Sequence, residues 1–295
     1  MTDYYFTLRD TIQKYFPNGS IPEPPANIPR LSISAITLSP LRPLFDTSSV
    51  ADTNDSPMTM EELGQSYGFV LYEHEVTQAV TGLLQPGDRP RDRVIIYVNE
   101  ARIGVIDSIY QFPMNITVDL QPGDVLQLLV ENLGRVDYWS LEAYTFDALT
   151  DSYKGIVGKV TIGNSTLEGW SMAPLPLDKV PPITPRTNIS AIGDTPVYYS
   201  GTFEVGSNST DPMQLDTFLA ISGGIKGVVW VNGFNLGRYW IIGPQQSLYL
   251  PGTVLKPGYV NEIVVLELEP GNETMIARGE VDRVWGNNPD PDYHS

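Results

Sequence analysis

The residues best suited to chemistry lie in the stretch 226–251, which reads KGVVWVNGFNLGRYWIIGPQQSLYLP. We predict two strands there, 227–232 and 246–250, joined by a loop in which Gly233 and Gly237 permit backbone angles that other residues avoid. Aromatic rings stack on the apolar faces of sugars, while amide and guanidinium groups bond to sugar hydroxyls. The candidate carbohydrate-binding residues are Asn235, Arg238, Tyr239 and Trp240. The same side chains more often close the end of a β-sandwich, so that alternative stays open.

Trp230 lies in the first of these strands, where large apolar side chains alternate along the chain. In a stand-alone sugar-binding module it would join the candidate binding residues. The alternation favours a different position, because a tryptophan at a regular strand position usually faces a core. We predict that Trp230 belongs to the core of a second β-sandwich.

Hydrolysis of a glycosidic bond needs two carboxyl groups that flank it. The tight acidic pairs near aromatic residues are Glu61–Glu62 and Glu73–Glu75, which have the sequence context of a solvated turn and of an exposed strand face. His74, inside the second pair, is predicted to be exposed as well. The chain contains no cysteine, which excludes disulfides, thiolate nucleophiles and thiolate metal sites. We predict no catalytic residue, no metal and no cofactor in this chain.

Charge and composition restrict the partners of the chain. Its 295 residues carry 18 basic and 35 acidic side chains, a net charge of -17, which argues against nucleic acid or an anionic membrane as a partner. The apolar fraction of 41% is sufficient for two domains, and no apolar run reaches the roughly 18 residues of a membrane span. We predict no nucleic-acid partner and no membrane partner.

N-glycosylation sequons are more frequent than chance gives, which favours passage through a secretory pathway. The seven candidate glycosylation sites are Asn18, Asn54, Asn115, Asn164, Asn188, Asn208 and Asn272. The N-terminal sequence MTDYYFTLRDTIQKYF lacks the apolar region of a signal peptide. We therefore expect a lysosomal or secreted protein, and we expect this chain to begin in the middle of it.

The order of predicted elements gives an all-β chain with one helix. Tyr5, Leu8, Ile12 and Tyr15 recur at helical spacing, and a Pro-Asn-Gly turn follows. Proline-rich stretches then separate groups of short strands bounded by Pro, Gly and Asp turns, the pattern of β-sandwiches. The predicted units are a helix and linker at 1–30, a first sandwich at 31–168, a second sandwich at 169–280 and a tail at 281–295.

Several long motifs resemble glycoside hydrolase family 35 β-galactosidases. VWVNGFNLGRYW followed by GPQQSLYLP is similar to the C-terminal signature of that family, and MTMEELGQSYGFVLYEHEV, LLVENLGRVDYW and YKGIVGKVTIG occur in the family's order. The resemblance covers about 58–269 and implies two jelly-roll sandwiches of the galactose-binding-like type, preceded by a short helix left over from the catalytic barrel. It also implies that Tyr138 reaches the galactose pocket, although Asp137 and Trp139 replace the family's usual neighbours.

Three functions stay open. The resemblance implies the non-catalytic C-terminal region of a β-galactosidase, which hydrolyses terminal β-galactosides, with the sandwiches supporting the barrel and completing the sugar pocket. The family's catalytic glutamates lie in the barrel, so this chain alone is predicted to be inactive. The expected partners are the catalytic barrel of the same enzyme and β-galactoside glycans. The alternatives are a stand-alone galactose- or glycan-binding module and a structural domain without a ligand.

Overall fold

The structure is a computed structural model. Its first element is a helix. It describes residues 3–24, 26–46, 49, 52–88, 91–107, 115–135, 152–183, 193–207 and 211–286. Helix α1 spans Asp3–Gln13, where the sequence predicts a helix, and its side chains are largely exposed. No helix in the described ranges is long and apolar enough to cross a membrane.

The rest of the described chain is built from strands. In chain order these are β1 (Ile33–Thr37), β2 (Ser39–Pro43), β3 (Asp52–Asn54), β4 (Gly68–Glu75), β5 (Val80–Pro86), β6 (Arg93–Val98), β7 (Ala101–Asp107), β8 (Thr117–Leu120), β9 (Val125–Asn132), β10 (Val160–Ile162), β11 (Ser165–Thr166), β12 (Trp170–Leu175), β13 (Val197–Glu204), β14 (Thr217–Ser222), β15 (Lys226–Val231), β16 (Phe234–Trp240), β17 (Ser247–Leu250), β18 (Val260–Glu267) and β19 (Ile276–Glu280). Short 3-10 turns at Pro212–Leu215 and Gly252–Val254 precede β14 and follow β17. The predicted all-β class is confirmed.

Antiparallel pairing arranges these strands in four sheets. Their strand orders are β11-β10-β5-β8, β3-β12-β4-β9-β6-β7, β16-β15-β18-β13-β2 and β1-β19-β14-β17. We call the first two sheets the first sandwich and the last two the second sandwich. The larger sheet of each sandwich is the one that faces the other sandwich, as the apolar clusters below establish.

Three apolar layers lie between the four sheets. One cluster fills the first sandwich, where Tyr72 and Leu128 meet Leu84 and Val160. Another fills the second sandwich. The third cluster joins the two sandwiches, because it contains Leu71 of β4 and Leu266 of β18. We call this third layer the seam, and it makes the molecule a stack of four sheets.

Burial on both faces explains the composition of the inner strands. Every residue of β15, from Lys226 to Val231, is buried, and β4 has the sequence GFVLYEHE with its first five residues buried. By contrast β8, in an outer sheet, alternates exposed and buried residues along TVDL. Nearly continuous apolar runs are expected wherever a sheet is covered on both sides, and alternation where one side meets water.

Trp230 is fully buried, but its position differs from the prediction. It lies in the seam cluster, 6.4 Å from the ring of Tyr198, and not in the core of the second sandwich. Val229 and Val231, its neighbours on β15, face that core instead. A strand covered on both faces offers two buried environments, and alternation alone does not say which one an aromatic residue enters.

The strands cross the predicted domain limits in two places. Strands β1 and β2 fall within the predicted first sandwich, 31–168, yet they pair with β19 and β13 of the second. Strand β12 falls within 169–280, yet it pairs with β3 and β4 of the first. We propose that the first sandwich begins near β3 and ends after β12. The structure describes the predicted tail only as far as residue 286. Within that part, Trp285 forms an isolated β-bridge with Gln245.

Candidate functional site at the seam

The hairpin β15–β16 carries the residues predicted to bind sugar. The predicted loop after β15 is wrong, because Phe234–Trp240 forms strand β16. Asn232 and Gly233 have φ angles of 51° and 82°, the left-handed pair that a two-residue hairpin turn requires. The turn folds β16 back on β15, and a bulge between Val229 and Trp230 shifts the register.

The pairing separates the candidate residues onto two faces of β16. Arg238 is opposite Val228 and Trp240 is opposite Lys226, so both face the seam. Tyr239 is opposite Gly227 and packs against the core of the second sandwich. Arg238 and Trp240 are thus brought together, while Tyr239 points away from them.

Buried charges concentrate at the seam next to this hairpin. Four ion pairs connect one sandwich to the other: Arg93–Glu269 at 2.5 Å, Arg102–Glu269 at 2.7 Å, Lys226–Glu131 at 3.1 Å and Arg238–Glu131 at 3.1 Å. Glu131 and Glu269 are almost completely buried. An unpaired charge in such a position would be strongly unfavourable, so each sandwich needs the other to neutralise its own buried charges.

The aromatic ring of Trp240 packs against two cations of this cluster. Its ring centroid lies 3.9 Å from Lys226 Nζ and 5.6 Å from Arg93 Cζ, which are cation–π distances. Burial lowers the pKa of Lys226, and the nearby carboxylate of Glu131 acts in the opposite direction. The indole face and the Glu131 carboxylate together stabilise the buried ammonium group of Lys226, which has lost its hydrating water.

Arg238 links strand β16 to the first sandwich by hydrogen bonds. Its Nη1 donates to Glu131 Oε1 and, at 2.6 Å, to the carbonyl oxygen of Asn132, and its Cζ lies 5.1 Å from the ring centroid of Phe69. Asn235 makes a second link, because its Nδ2 donates to the carbonyl of Leu177 at 2.7 Å. Both candidate residues therefore contact protein groups across the seam.

Tyr239 and Glu267 form a separate polar pair inside the second sandwich. The tyrosine hydroxyl donates to Glu267 Oε2, and the same carboxylate accepts the backbone N–H groups of Ile225, Lys226 and Glu269. Burial raises the pKa of Glu267 to about 7, although these hydrogen bonds lower it. Burial, reinforced by the negative charge of Glu267, raises the pKa of Tyr239 well above its usual value.

The predicted acidic pairs serve structural contacts. Glu62 accepts hydrogen bonds from the backbone and hydroxyl of Thr59, and Glu73 accepts one from Gln127 at 2.8 Å. Glu61 pairs with Arg135. These carboxylates hold a turn and neighbouring strands, and Glu73 is only partly exposed, whereas the sequence context predicts an exposed strand face.

His74 corrects a prediction, since it is buried and not exposed. Its Nδ1 lies 3.1 Å from the carbonyl oxygen of Gly169, and its ring centroid lies 5.2 Å from that of Trp170. Strand β12 lies beside β4 in the same sheet and brings Gly169 and Trp170 next to His74, which a single-strand pattern does not reveal.

The remaining predicted sites are placed only in part. Tyr138 lies outside the described residues, so its substrate role stays a prediction. Asn188 and Asn208 are also outside them. The five described sequon asparagines are all exposed, and they are Asn18, Asn54, Asn115, Asn164 and Asn272.

Apart from Arg238, the charged seam residues are absent from the sequence prediction. A signal was nevertheless present, because Lys226, Arg93 and Glu131 stand directly against or inside the apolar runs GVVWV, VIIYV and LLV. Charged residues at buried strand positions need partners of opposite sign. Which residues pair is decided by the packing of the sandwiches, and this is not visible in the sequence.

Comparison with known proteins identifies both halves of the chain. Residues 57–176 match the family model described as beta-galactosidase, first all-beta domain, and residues 196–261 match that of beta-galactosidase, galactose-binding domain. The β-galactosidases of Felis catus, Bos taurus and Homo sapiens are 34%, 33% and 32% identical to the chain, and each match covers 91% of it.

The matches leave most of each relative uncovered. The chain spans 42%, 43% and 41% of the length of the cat, cattle and human proteins. Among solved structures, a lectin from Pleurotus ostreatus in complex with GalNAc gives a TM-score of 0.24 at 13% identity, covering 85% of this chain and 84% of the lectin, which is too low to carry an argument. By these matches, the chain carries the first all-beta domain and the galactose-binding domain of the β-galactosidases.

Proposed function

We propose that the chain forms the non-catalytic β-sandwich region of a family 35 β-galactosidase. In that enzyme the two sandwiches support the catalytic domain and help to complete the pocket for terminal β-galactosides. The observation that carries this proposal is α1. Its apolar side chains include Tyr4 and Ile12, which are 72% and 48% exposed, and none of its residues is buried.

The exposed helix is unusual for a chain packed this tightly. Among the described residues, its polar contacts reach the adjacent linker, where Arg9 pairs with Glu23 at 3.0 Å and donates to the carbonyl of Pro22. Leu8 and Ile12, one turn apart, are each more than two-fifths exposed. A helix with an apolar stripe is normally stabilised by burying it, and the catalytic domain of the same enzyme is the partner we assign.

The seam supports the scaffold role. Four ion pairs to two buried glutamates, together with an apolar layer, hold the sandwiches in one arrangement, which suits a rigid support for another domain. The four candidate sugar-binding residues favour this role over a stand-alone glycan module, because Asn235, Arg238, Tyr239 and Trp240 all contact protein groups. The exposed sequons support a lysosomal or secreted location for the enzyme.

Mass spectrometry under native conditions tests the proposal on the protein from its natural source. We expect the chain within a larger polypeptide, or bound to one, that hydrolyses a chromogenic β-galactoside. A native mass equal to the 32.6 kDa of the chain alone, with no associated galactosidase, would contradict the proposal.

Substitutions in α1 then test the assigned contact. In the assembled enzyme, Leu8→Asp and Ile12→Asp should weaken association or activity, because a carboxylate would be buried against the partner. Lys14→Asp, at an exposed position directly after the last residue of the helix, is the matched control. Equal behaviour of the three variants would remove α1 from the interface.

A further inference from the structure

A pocket of about 290 Å³ opens at the rim of the seam. The first sandwich contributes Tyr67, Phe69 and the segment 176–178, and the second contributes Val228 and the β16 residues Asn235, Gly237 and Arg238. The volume is near the lower limit of typical ligand pockets, which suits a single small ring. The pocket is distinct from the surroundings of Tyr239 and Trp240, neither of which lines it.

The walls of this pocket are fixed by the backbone. Leu177 adopts a φ of 55°, which is uncommon for a branched side chain, and Asn235 holds it through the hydrogen bond to its carbonyl. Gly68 has a φ of 96°, and a Cβ there would lie 2.4 Å from the carbonyl oxygen of Leu175. Opposite, Gly237 has open space where a Cβ would be. The missing side chain of Gly68 thus lets the backbone of 175–176 approach closely, and that of Gly237 leaves space open on the opposite wall.

The polar groups of the pocket retain unused hydrogen-bonding capacity. Arg238 donates through Nη1, while its Nε and Nη2 donate to no residue within the described part of the chain. Its side chain is 30% exposed and stands over Phe69. Asp178 accepts only the N–H of Lys179 there, and the hydroxyl of Tyr67 has no partner among the same residues. The ring of Tyr67 is 46% exposed.

These groups form the set that a neutral sugar requires. An exposed aromatic ring can stack on the apolar face of a pyranose, a carboxylate accepts hydrogen bonds from hydroxyls, and a guanidinium donates to them. Phe69 and Val228 add an apolar floor. Because Asp178 offsets the charge of Arg238, the pocket does not select an anion.

We propose that this rim pocket binds one neutral hexose unit, with Tyr67 stacking on the ring and with Asp178 and Arg238 bonding to its hydroxyls. The site does not depend on the proposed support of a catalytic domain, since every group in it belongs to this chain. The residues that line this pocket differ from the four predicted sugar-binding residues, and the two sets share only Asn235 and Arg238.

Saturation-transfer NMR on the full chain tests the pocket with galactose, glucose and glucuronate as probes. We expect saturable millimolar binding of the hexoses, the range typical of a single sugar in a shallow site, and weaker binding of glucuronate. Tyr67→Ala and Asp178→Asn should each weaken hexose binding at least about tenfold. Tyr259→Ala is the matched control, because Tyr259 is 73% exposed and lies outside the pocket.

Three results would overturn the proposal. They are the absence of hexose binding by the parent chain, undiminished binding by Tyr67→Ala and Asp178→Asn, and tighter binding of glucuronate than of hexose. Asp178 is exposed, so Asp178→Asn should fold as the parent does, and an unchanged melting temperature verifies this. Failure here leaves the support function intact, because that function is measured by association with a catalytic domain.

Discussion

Glu267 connects the stability of the second sandwich to pH. Its carboxylate is fully buried, and burial raises its pKa to about 7 from the ordinary value of 4.5. A carboxyl group with a raised pKa in the folded state binds protons more tightly when the protein is folded. Its contribution to stability is therefore complete below pH 4.5 and is lost as the pH rises through about 7.

We predict that Glu267→Gln flattens the pH dependence of the free energy of unfolding. In the parent, the Glu267 contribution falls by roughly 3 kcal/mol between pH 4.5 and pH 8, since each unit of pKa difference corresponds to about 1.4 kcal/mol. Urea unfolding across this range, followed by circular dichroism, measures the slope.

The matched control for this slope is Glu262→Gln, an exposed glutamate on the same strand. It should keep the pH dependence of the parent. If Glu262→Gln and Glu267→Gln have the same slope as the parent, Glu267 is not the group responsible.

Other single residues show how far the sequence can lead. The alternation on β15 indicates that Trp230 is buried, because its type and spacing are local properties. The pairing of Lys226 with Glu131 is different, since 95 residues separate them and only the stacking of two sandwiches brings them to 3.1 Å. Arg238, which the sequence analysis assigned to a sugar, is likewise an interface residue whose partner Glu131 lies on a distant strand.

At the scale of elements, the prediction was good where local chemistry decides. Helix α1 follows from a periodic pattern, and most of the apolar runs became strands. Strand β16 was missed because Gly237 and Asn235 suggested a loop, whereas the Asn232–Gly233 pair is itself a hairpin signal. The placement of β1 and β2 in the second sandwich depends on pairing with β19 and β13, which is invisible in a single sequence.

Gly227 carries the next prediction, because it determines how closely β15 and β18 approach. A Cβ at Gly227 would lie 1.9 Å from the carbonyl oxygen of Leu266 and 2.8 Å from Cε1 of Tyr239. The first contact is with backbone, so the strands must move apart to relieve it. We predict that Gly227→Ala lowers the free energy of unfolding by at least about 1–3 kcal/mol, the usual range for overpacking.

Urea unfolding measures this effect, with Gly271→Ala as the control. Gly271 has open space where a Cβ would be, so that substitution should be nearly neutral. A Gly227→Ala variant as stable as the parent would mean that β15 tolerates displacement from β18.

For the whole molecule, the seam makes two sandwiches into one cooperative unit. Neither sandwich is complete by itself, because the seam residues Phe69 and Leu71 of one and Leu266 of the other are almost fully buried only when both are present. Glu131 and Glu269 would also lose their cationic partners on separation. Both terms penalise a state in which one sandwich is unfolded and the other is intact.

We predict that the full chain unfolds in a single transition, and that Trp230→Ala lowers this transition without splitting it. The loss should be about 3–5 kcal/mol, the range for removing a buried tryptophan side chain, because Trp230 fills the layer that both sandwiches share. Tryptophan fluorescence and far-UV circular dichroism should report coincident unfolding curves for parent and variant. Trp285→Ala, at a ring that is 57% exposed, should leave the curve almost unchanged. Two separate transitions, of which Trp230→Ala shifts only one, would show that the sandwiches unfold independently and that the seam is too weak to hold a rigid scaffold.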